Sequence, residues 1–323
     1  MLKVAIVGAT GVVGETIARV LEERKVPLAT LGRFASRARD GVEATTPERL
    51  RDFDVVFFAS GEDASETYAP ALVANGTFVI DNSSTFRMRT DVPLVIPEVN
   101  PGDVSPQHRL FPVANCTAII LCSALAPIRD AAGLKSVRVA TYQSASGAGR
   151  AGLDELLAGE RAIARGEDEP QPAAFPRALA RNVIPQIGSF DATGYSGEER
   201  KVADETRKML GLPELFVSAT TVRVPVRTAH SEAVWIETAR DTSVEGLAAA
   251  FAQAPGIIYH AEGIVTPREV EGTDLVHVAR LRAESPDSRR HFVLWCAGDQ
   301  LRKGAATNAV QILELLMARG LGK

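Results

Sequence analysis

The stretch LKVAIVGATGVVGETIARVLEE, residues 2–23, decides the architecture of the first half of the chain. It opens with a short apolar run, as a strand buried on both faces requires. Glycines at positions 8, 11 and 14 follow directly and lead into a helix expected over 12–23. Glycines so placed allow a tight turn, close approach of backbone to a pyrophosphate, and packing of helix on sheet, while the helix N-terminus faces the anion. Gly8, Thr10, Gly11, Val12, Val13 and Gly14 are therefore candidates for holding a dinucleotide. The spacing is GxxGxxG rather than GxGxxG, so a turn that serves only packing is the competing reading.

Further apolar runs continue the pattern at 28–34 (LATLGRF), 54–60 (DVVFFAS), 77–83 (TFVIDNS) and 94–99 (LVIPEV), alternating with helical stretches. Buried parallel strands with crossover helices give this arrangement. After Lys135 the runs lengthen and partly alternate: SVRVATYQ, FVSATTVRVPV, EAVWIETA, LVHVARLRA and HFVLWCAG, with two helices and a loop rich in proline and acidic residues near 166–176. That predicts a second, α+β domain with a largely antiparallel sheet. The tail GAATNAVQILELLMARG carries a helical apolar stripe of Val310, Ile312, Leu313, Leu315 and Leu316, ended by a glycine.

Composition narrows the function. Thirty-six Lys and Arg against forty Asp and Glu give a formal charge of −4, and no segment sets basic residues among aromatics as a nucleic-acid groove would. The longest apolar stretch, 118–128, falls short of the roughly 20 residues of a membrane span, and no leader pattern precedes the first strand. A soluble cytoplasmic protein, without nucleic-acid or membrane partners, is expected. The three cysteines, Cys116, Cys122 and Cys296, are too few for a disulfide framework or a structural zinc site, and no metal is expected.

An NAD site carries an acidic side chain where the second strand ends, about 20 residues past the turn. Here the chain reads Phe34, Ala35, Ser36, Arg37, Ala38, Arg39. Ser36, Arg37 and Arg39 suit the 2′-phosphate of NADP, since guanidinium groups bind phosphate through paired hydrogen bonds; two surface arginines are the alternative. Cys116 stands where an extended segment turns into a helix, a place that favours the thiolate. Cys122, among Ile119, Ile120 and Leu121, and Cys296, mid-strand, read as core.

Together GATGVVG, IDNSSTFRM, PEVN, ANCT, TYQSASGAGRAG, RVPVRTAHSE and LRKGAATNAVQI resemble, in order from residue 3 to about 312, the aspartate-semialdehyde dehydrogenase family. The resemblance implies an α/β chain: an NADP-binding Rossmann domain over 1–117, completed by the C-terminal helix 303–323. A catalytic and dimerisation domain over 118–302, similar to that of glyceraldehyde-3-phosphate dehydrogenase, would complete it. It implies reductive dephosphorylation of L-aspartyl 4-phosphate to the 4-semialdehyde through a thioacyl-enzyme on Cys116, in lysine, threonine, methionine and diaminopimelate biosynthesis. It further implies a small-molecule substrate, phosphate, and a homodimer or dimer of dimers. His230 matches the acid/base histidine, a role suited to an imidazole at neutral pH, and Gln143 the residue that orients the acyl intermediate. Arg223 matches the arginine that grips the substrate carboxylate, Glu198 and Lys201 the pair for its amino group and phosphate, and Arg87 with Asn115 a phosphate site. Ser144, Ser146 and Gly147 match a loop near the nicotinamide, and Asn308 the holder of its carboxamide.

Two spacings can be checked against these roles. Ser196-x-x-Glu199 is a capping box that leaves Glu198 and Lys201 on one helical face; an exposed ion pair is the ordinary meaning of that spacing. Arg223 and His230 are seven apart, which on a straight strand sets them on opposite faces, so the chain is expected to leave the strand or bulge between Val226 and His230. Thr117–Ala118, Ala38 and Gln300 depart from the family's usual hydroxyl, arginine and asparagine. A reductase acting on N-acetylglutamyl phosphate, or a noncatalytic NADP-binding paralogue, are the alternatives.

Overall fold

The computed structural model describes residues 1–320; the last three positions of the expected C-terminal helix, 321–323, lie outside the described residues. The chain divides into two compact units, Met1–Asn115 with Ala305–Lys323, and Cys116–Gly304.

In the first unit β1 (Leu2–Val7), β2 (Leu28–Ala35), β3 (Glu43–Ala44), β4 (Val55–Phe58), β5 (Phe78–Asp81) and β6 (Leu110–Pro112) form one sheet. Its order is β3-β2-β1-β4-β5-β6, and every pairing is parallel. Between them run α1 (Val12–Glu23), α2 (Pro47–Leu50) and α3 (Glu62–Ala74). The order reverses between β1 and β4, the switch point where such sheets open a cleft at their carboxyl ends. Backbone meets backbone there: a Cβ on Gly8, whose φ is +84°, would lie 2.5 Å from Ala59 O, and one on Gly14 2.3 Å from Gly8 O. Only glycine lets β1, β4 and α1 approach this closely.

The second unit places β7 (Leu134–Gln143), β8 (Phe216–Arg223), β9 (His230–Thr238), β10 (Ile257–His260), β11 (Val276–Ala283) and β12 (His291–Gly298) in the order β10-β11-β12-β9-β7-β8. Three pairings are antiparallel, but β7–β8 and β10–β11 are parallel, so the sheet is mixed rather than largely antiparallel. Parallel neighbours need crossovers: α5 (Gly149–Arg165) and α6 (Gly197–Leu210) join β7 to β8, and the short α8 (Pro267–Val270) lies between β10 and β11. The sequence reading had no counterpart for β10 or for α7 (Val244–Gln253). Helix α4 (Cys116–Ala132), buried over most of its length, packs on β7, β9, β11 and β12 between α6 and α7. The other face leaves Tyr142, Phe216 and Trp235 exposed.

The run 94–99 is not a strand. Pro93 and Pro97 interrupt its donors, and its polar groups are taken elsewhere: Asn100 accepts from Ile96 N at 2.9 Å and donates to Leu94 O at 2.8 Å. Helix α9 (Thr307–Ala318) fastens to the same segment. Asn308 donates to Val95 O at 3.0 Å, Gln311 to Glu98 at 2.7 Å, and Arg319 to Val104 O and Pro101 O. A forked ion pair, Arg24 to Glu314 at 2.9 and 2.7 Å, ties α9 to the end of α1.

Gly14→Ala tests the backbone contact at the switch point. It should cost about 3 kcal/mol, as overpacking against backbone does, read as a lower urea midpoint at unchanged slope.

Candidate functional site

The chemistry-bearing residues of the second unit meet at one end of its sheet. Gln143 ends β7, Arg223 ends β8 and His230 begins β9; Gln143 is in register with Arg223. The strand therefore ends at Arg223, earlier than its spacing from His230 required, and residues 224–229 carry the chain across β7 to the other side. The link closes on Ala229 at φ +71°; its N–H donates to Gln300 Oε1 at 2.7 Å.

Cys116 is the first residue of α4 and half-buried. Its Sγ lies 3.5 Å from His230 Nε2. The ring's Nδ1 accepts the Ser144 N–H at 3.1 Å, so that nitrogen carries no hydrogen in the neutral ring and Nε2 does. Ser144 Oγ is also 3.1 Å from Nδ1. Burial, then the nearby Arg223 charge, push the His230 pKa down to about 3. The two other thiols are inert. Burial pushes Cys122 up to about 12, and burial together with Glu232 raises Cys296.

Arg223 is buried, and Nη1 donates to Ser144 O at 2.6 Å. Burial lowers its pKa, opposed by Cys116 and Glu198. Among the described residues no carboxylate lies within ion-pairing distance of it. A buried cation without a paired anion is costly to the fold and suits an incoming carboxylate.

Helix α6 is capped as its sequence requires. Ser196 accepts from Glu199 N and Glu199 Oε2 accepts from Ser196 N at 2.7 Å. Glu199 Oε1 also takes Thr221 N–H at 3.0 Å, fixing the helix to β8. Glu198 turns to Gln143, whose Nε2 donates to its Oε1 at 3.0 Å; Lys201 is half-buried one turn on. Ser146 accepts from Gln300 Nε2 at 2.7 Å. A Cβ on Gly147 would stand 2.9 Å from Arg223 Nη1 and 3.0 Å from the His230 ring, and one on Gly304 2.9 Å from Cys116 Cβ. Ser144 and Gly304 thus bear on the Cys116 thiol, the imidazole and the guanidinium. Sequence reasoning gave Ser144 only a place in the loop near the nicotinamide, and gave Gly304 none; the signal for both is spatial.

In the first unit a cleft of about 450 Å³ at the switch point is lined by Gly8, Thr10, Ser36, Thr45, Ser60 and Asp63, among others. Gly11 caps α1 with no side-chain hydrogen bond, which leaves the helix end open to an anion. Val12 and Val13 are half-buried in its first turn. The buried Ser60 Oγ and Asn308 Oδ1 have no hydrogen-bond partner. These groups fit a dinucleotide, with Asn308 offering an acceptor for an amide. Arg37 and Arg39 are exposed beyond β2, and of the three residues expected there only Ser36 lines the cleft. Asp63 is a lining residue that sequence reasoning missed. Arg87 is buried and donates to Asn82 O at 3.0 Å, in a loop fixed by Asp81, which accepts from Ser65 Oγ, Ser83 N and Ser83 Oγ. Asn115 is buried just before Cys116.

Residues 3–106 match the family model described as semialdehyde dehydrogenase, NAD binding domain, and residues 125–303 that described as semialdehyde dehydrogenase, dimerisation domain. Fold and site thus define a semialdehyde dehydrogenase, an oxidoreductase with a nucleotide-binding domain. Aspartate-semialdehyde dehydrogenases of Aquifex aeolicus and Bacillus subtilis are 41% and 38% identical to the chain; the alignments cover 99% and 98% of it and 99% and 97% of the relatives. The crystal structure of aspartate semialdehyde dehydrogenase II from Vibrio cholerae superposes with a TM-score of 0.92 at 39% identity, covering 98% of this chain and 99% of that one. The chain belongs to the aspartate-semialdehyde dehydrogenase family. No helix among the described residues is long and apolar enough to cross a membrane.

Two outcomes follow from this geometry. Gly147→Ala should lower turnover by about tenfold or more by displacing Arg223 and His230, measured as steady-state kcat beside an unchanged unfolding midpoint. A buried His230 with a depressed pKa contributes its full stability above its unfolded value of about 6.5. That contribution is lost as pH falls toward about 3. Urea midpoints measured across that window should fall with acid, and less steeply in His230→Gln.

Proposed function

We propose that the protein is an NADP-dependent aspartate-semialdehyde dehydrogenase that reduces L-aspartyl 4-phosphate to the 4-semialdehyde, reversibly, through a thioester on Cys116. The observation that carries this reading is the buried Arg223, with no carboxylate of the described residues at ion-pairing distance, beside a thiol that faces an imidazole at 3.5 Å. The V. cholerae relative has also been solved complexed with ASA.

In this reading Arg223 binds the substrate α-carboxylate as a fork and Glu198 its ammonium. Lys201, with Arg87 and Asn115 by the resemblance, binds the phosphate. The Cys116 thiolate attacks the acyl carbon, the carbon–oxygen bond to phosphate breaks, and phosphate leaves with the electron pair. The nicotinamide cofactor, when bound, supplies hydride to the thioester carbon. His230 holds a proton at Nε2, and Gln143 a second donor, toward the oxygen that gains charge. The carbon–sulfur bond then breaks and returns Cys116 as the thiolate. Glu198 sets the substrate class, because an acetylated amine offers no ammonium for a carboxylate to hold.

Gly8, Thr10, Gly11, Val12, Val13, Gly14 and Asn308 would hold the dinucleotide. Ser36, Arg37 and Arg39, with no acid ending β2, support NADP, while Ser146 and Gly147 belong to the loop beside the nicotinamide in this assignment. A homodimer formed through the second domain is supported by the dimerisation-domain match and by the exposed Tyr142, Phe216 and Trp235.

The test follows reduced-nicotinamide absorbance with L-aspartate semialdehyde, with and without phosphate, using NADP or NAD. Phosphate-dependent reduction favouring NADP is expected; activity only on the N-acetylglutamyl analogue would overturn the substrate assignment. Cys116→Ser should lose more than about a thousandfold in turnover while still binding NADP. Arg223→Lys, which keeps the charge but not the fork, should lose about a hundredfold in kcat/KM.

A further inference from the structure

Thr141 stands two residues before Gln143 on β7, so both side chains point to the face covered by α4. It is fully buried, and the mechanism above gives it no part. Its hydroxyl oxygen accepts the Val222 N–H at 3.4 Å, and its proton is directed to Gln143 Oε1 at 3.0 Å. At the other end of the same carboxamide, Nε2 donates to Glu198 Oε1 at 3.0 Å.

We propose that Thr141 is a positioning residue that fixes which end of the Gln143 carboxamide meets the reacting oxygen. The proposal rests on the assignment of Gln143 to the acyl centre. An amide turned the wrong way presents a carbonyl to an oxygen gaining negative charge, and repels it. One Nε2 hydrogen goes to Glu198, which leaves the second for the substrate. Glu198 alone does not secure this, because it is also the group assigned to the substrate's ammonium, and its hold on Gln143 is shared once substrate binds. Thr141 lies under the sheet end, away from that exchange, and keeps the carbonyl turned inward throughout the cycle. The hydroxyl thus acts through Gln143, strengthening a donor whose contact matters most in the transition state.

Thr141→Val is nearly isosteric and removes only the hydroxyl. It should lower kcat by about 10- to 100-fold, a large part of what loss of one such donor costs, with KM for the semialdehyde changed less than about twofold. Thr141→Ser should restore kcat to within about threefold of the parent. In a Gln143→Ala background, Thr141→Val should cost nothing further, the coupling expected of residues that act as a unit. Thr141→Val at parental kcat would overturn the proposal. So would a loss that adds in full to that of Gln143→Ala or that Thr141→Ser leaves in place, since either marks a structural effect. Gln143→Ala at parental kcat would instead remove the assignment of Gln143 to the acyl centre, and the proposal with it.

Discussion

A guanidinium buried beside an imidazole, with one backbone carbonyl as its hydrogen-bond acceptor, sets the terms for the second unit. Ser144 satisfies both groups at once: its carbonyl receives Arg223 and its N–H meets His230 Nδ1. Neither contact neutralises the charge, so the surroundings bear the cost of desolvation. They do so with rigid parts: the in-register ends of β7 and β8, the start of β9, and α6 pinned to β8 through Glu199. A charge held unpaired by a stiff frame is ready for a ligand's carboxylate without rearrangement, which is the preorganisation that electrostatic catalysis needs.

That frame also fixes protons. The Ser144 N–H assigns the hydrogen of the neutral imidazole to Nε2, on the side of the Cys116 sulfur. Glu232, two residues along the same face of β9, is fully buried beside Cys296, and burial raises its pKa well above the usual range. The layer beneath the site therefore holds a carboxyl group and two thiols whose neutral forms burial favours.

Much of this was legible in sequence where the meaning is local. Helix α1 occupies the residues that the glycine-rich turn announced, because a turn, a cap and an apolar face follow one another within one segment. The capping box of α6 separated Glu199 from Glu198 for the same reason. Legibility failed where a segment's fate depends on distant partners. The run 94–99 has strand composition, but Asn100 and α9 take its carbonyls. Residues such as Ser144, Gly147 and Gly304 gain their roles from what packs on them across the sheet, which no spacing encodes. The parity of Arg223 and His230 signalled a break, yet it could not say that a third strand would lie between them.

The first unit is discontinuous in the chain: its five leading parallel strands and β6 are complete by residue 112, but α9 arrives only after the whole of the second unit. Until it does, the segment from Leu94 to Val104 has neither Asn308 nor Arg319 on its carbonyls, and α1 lacks Glu314 for Arg24. During synthesis the nucleotide-binding half therefore waits, partly finished, while the second unit is made. Its own completion waits for α9, so a chain cut short before Thr307 would leave the first unit open along the segment from Leu94 to Val104 rather than merely trimmed.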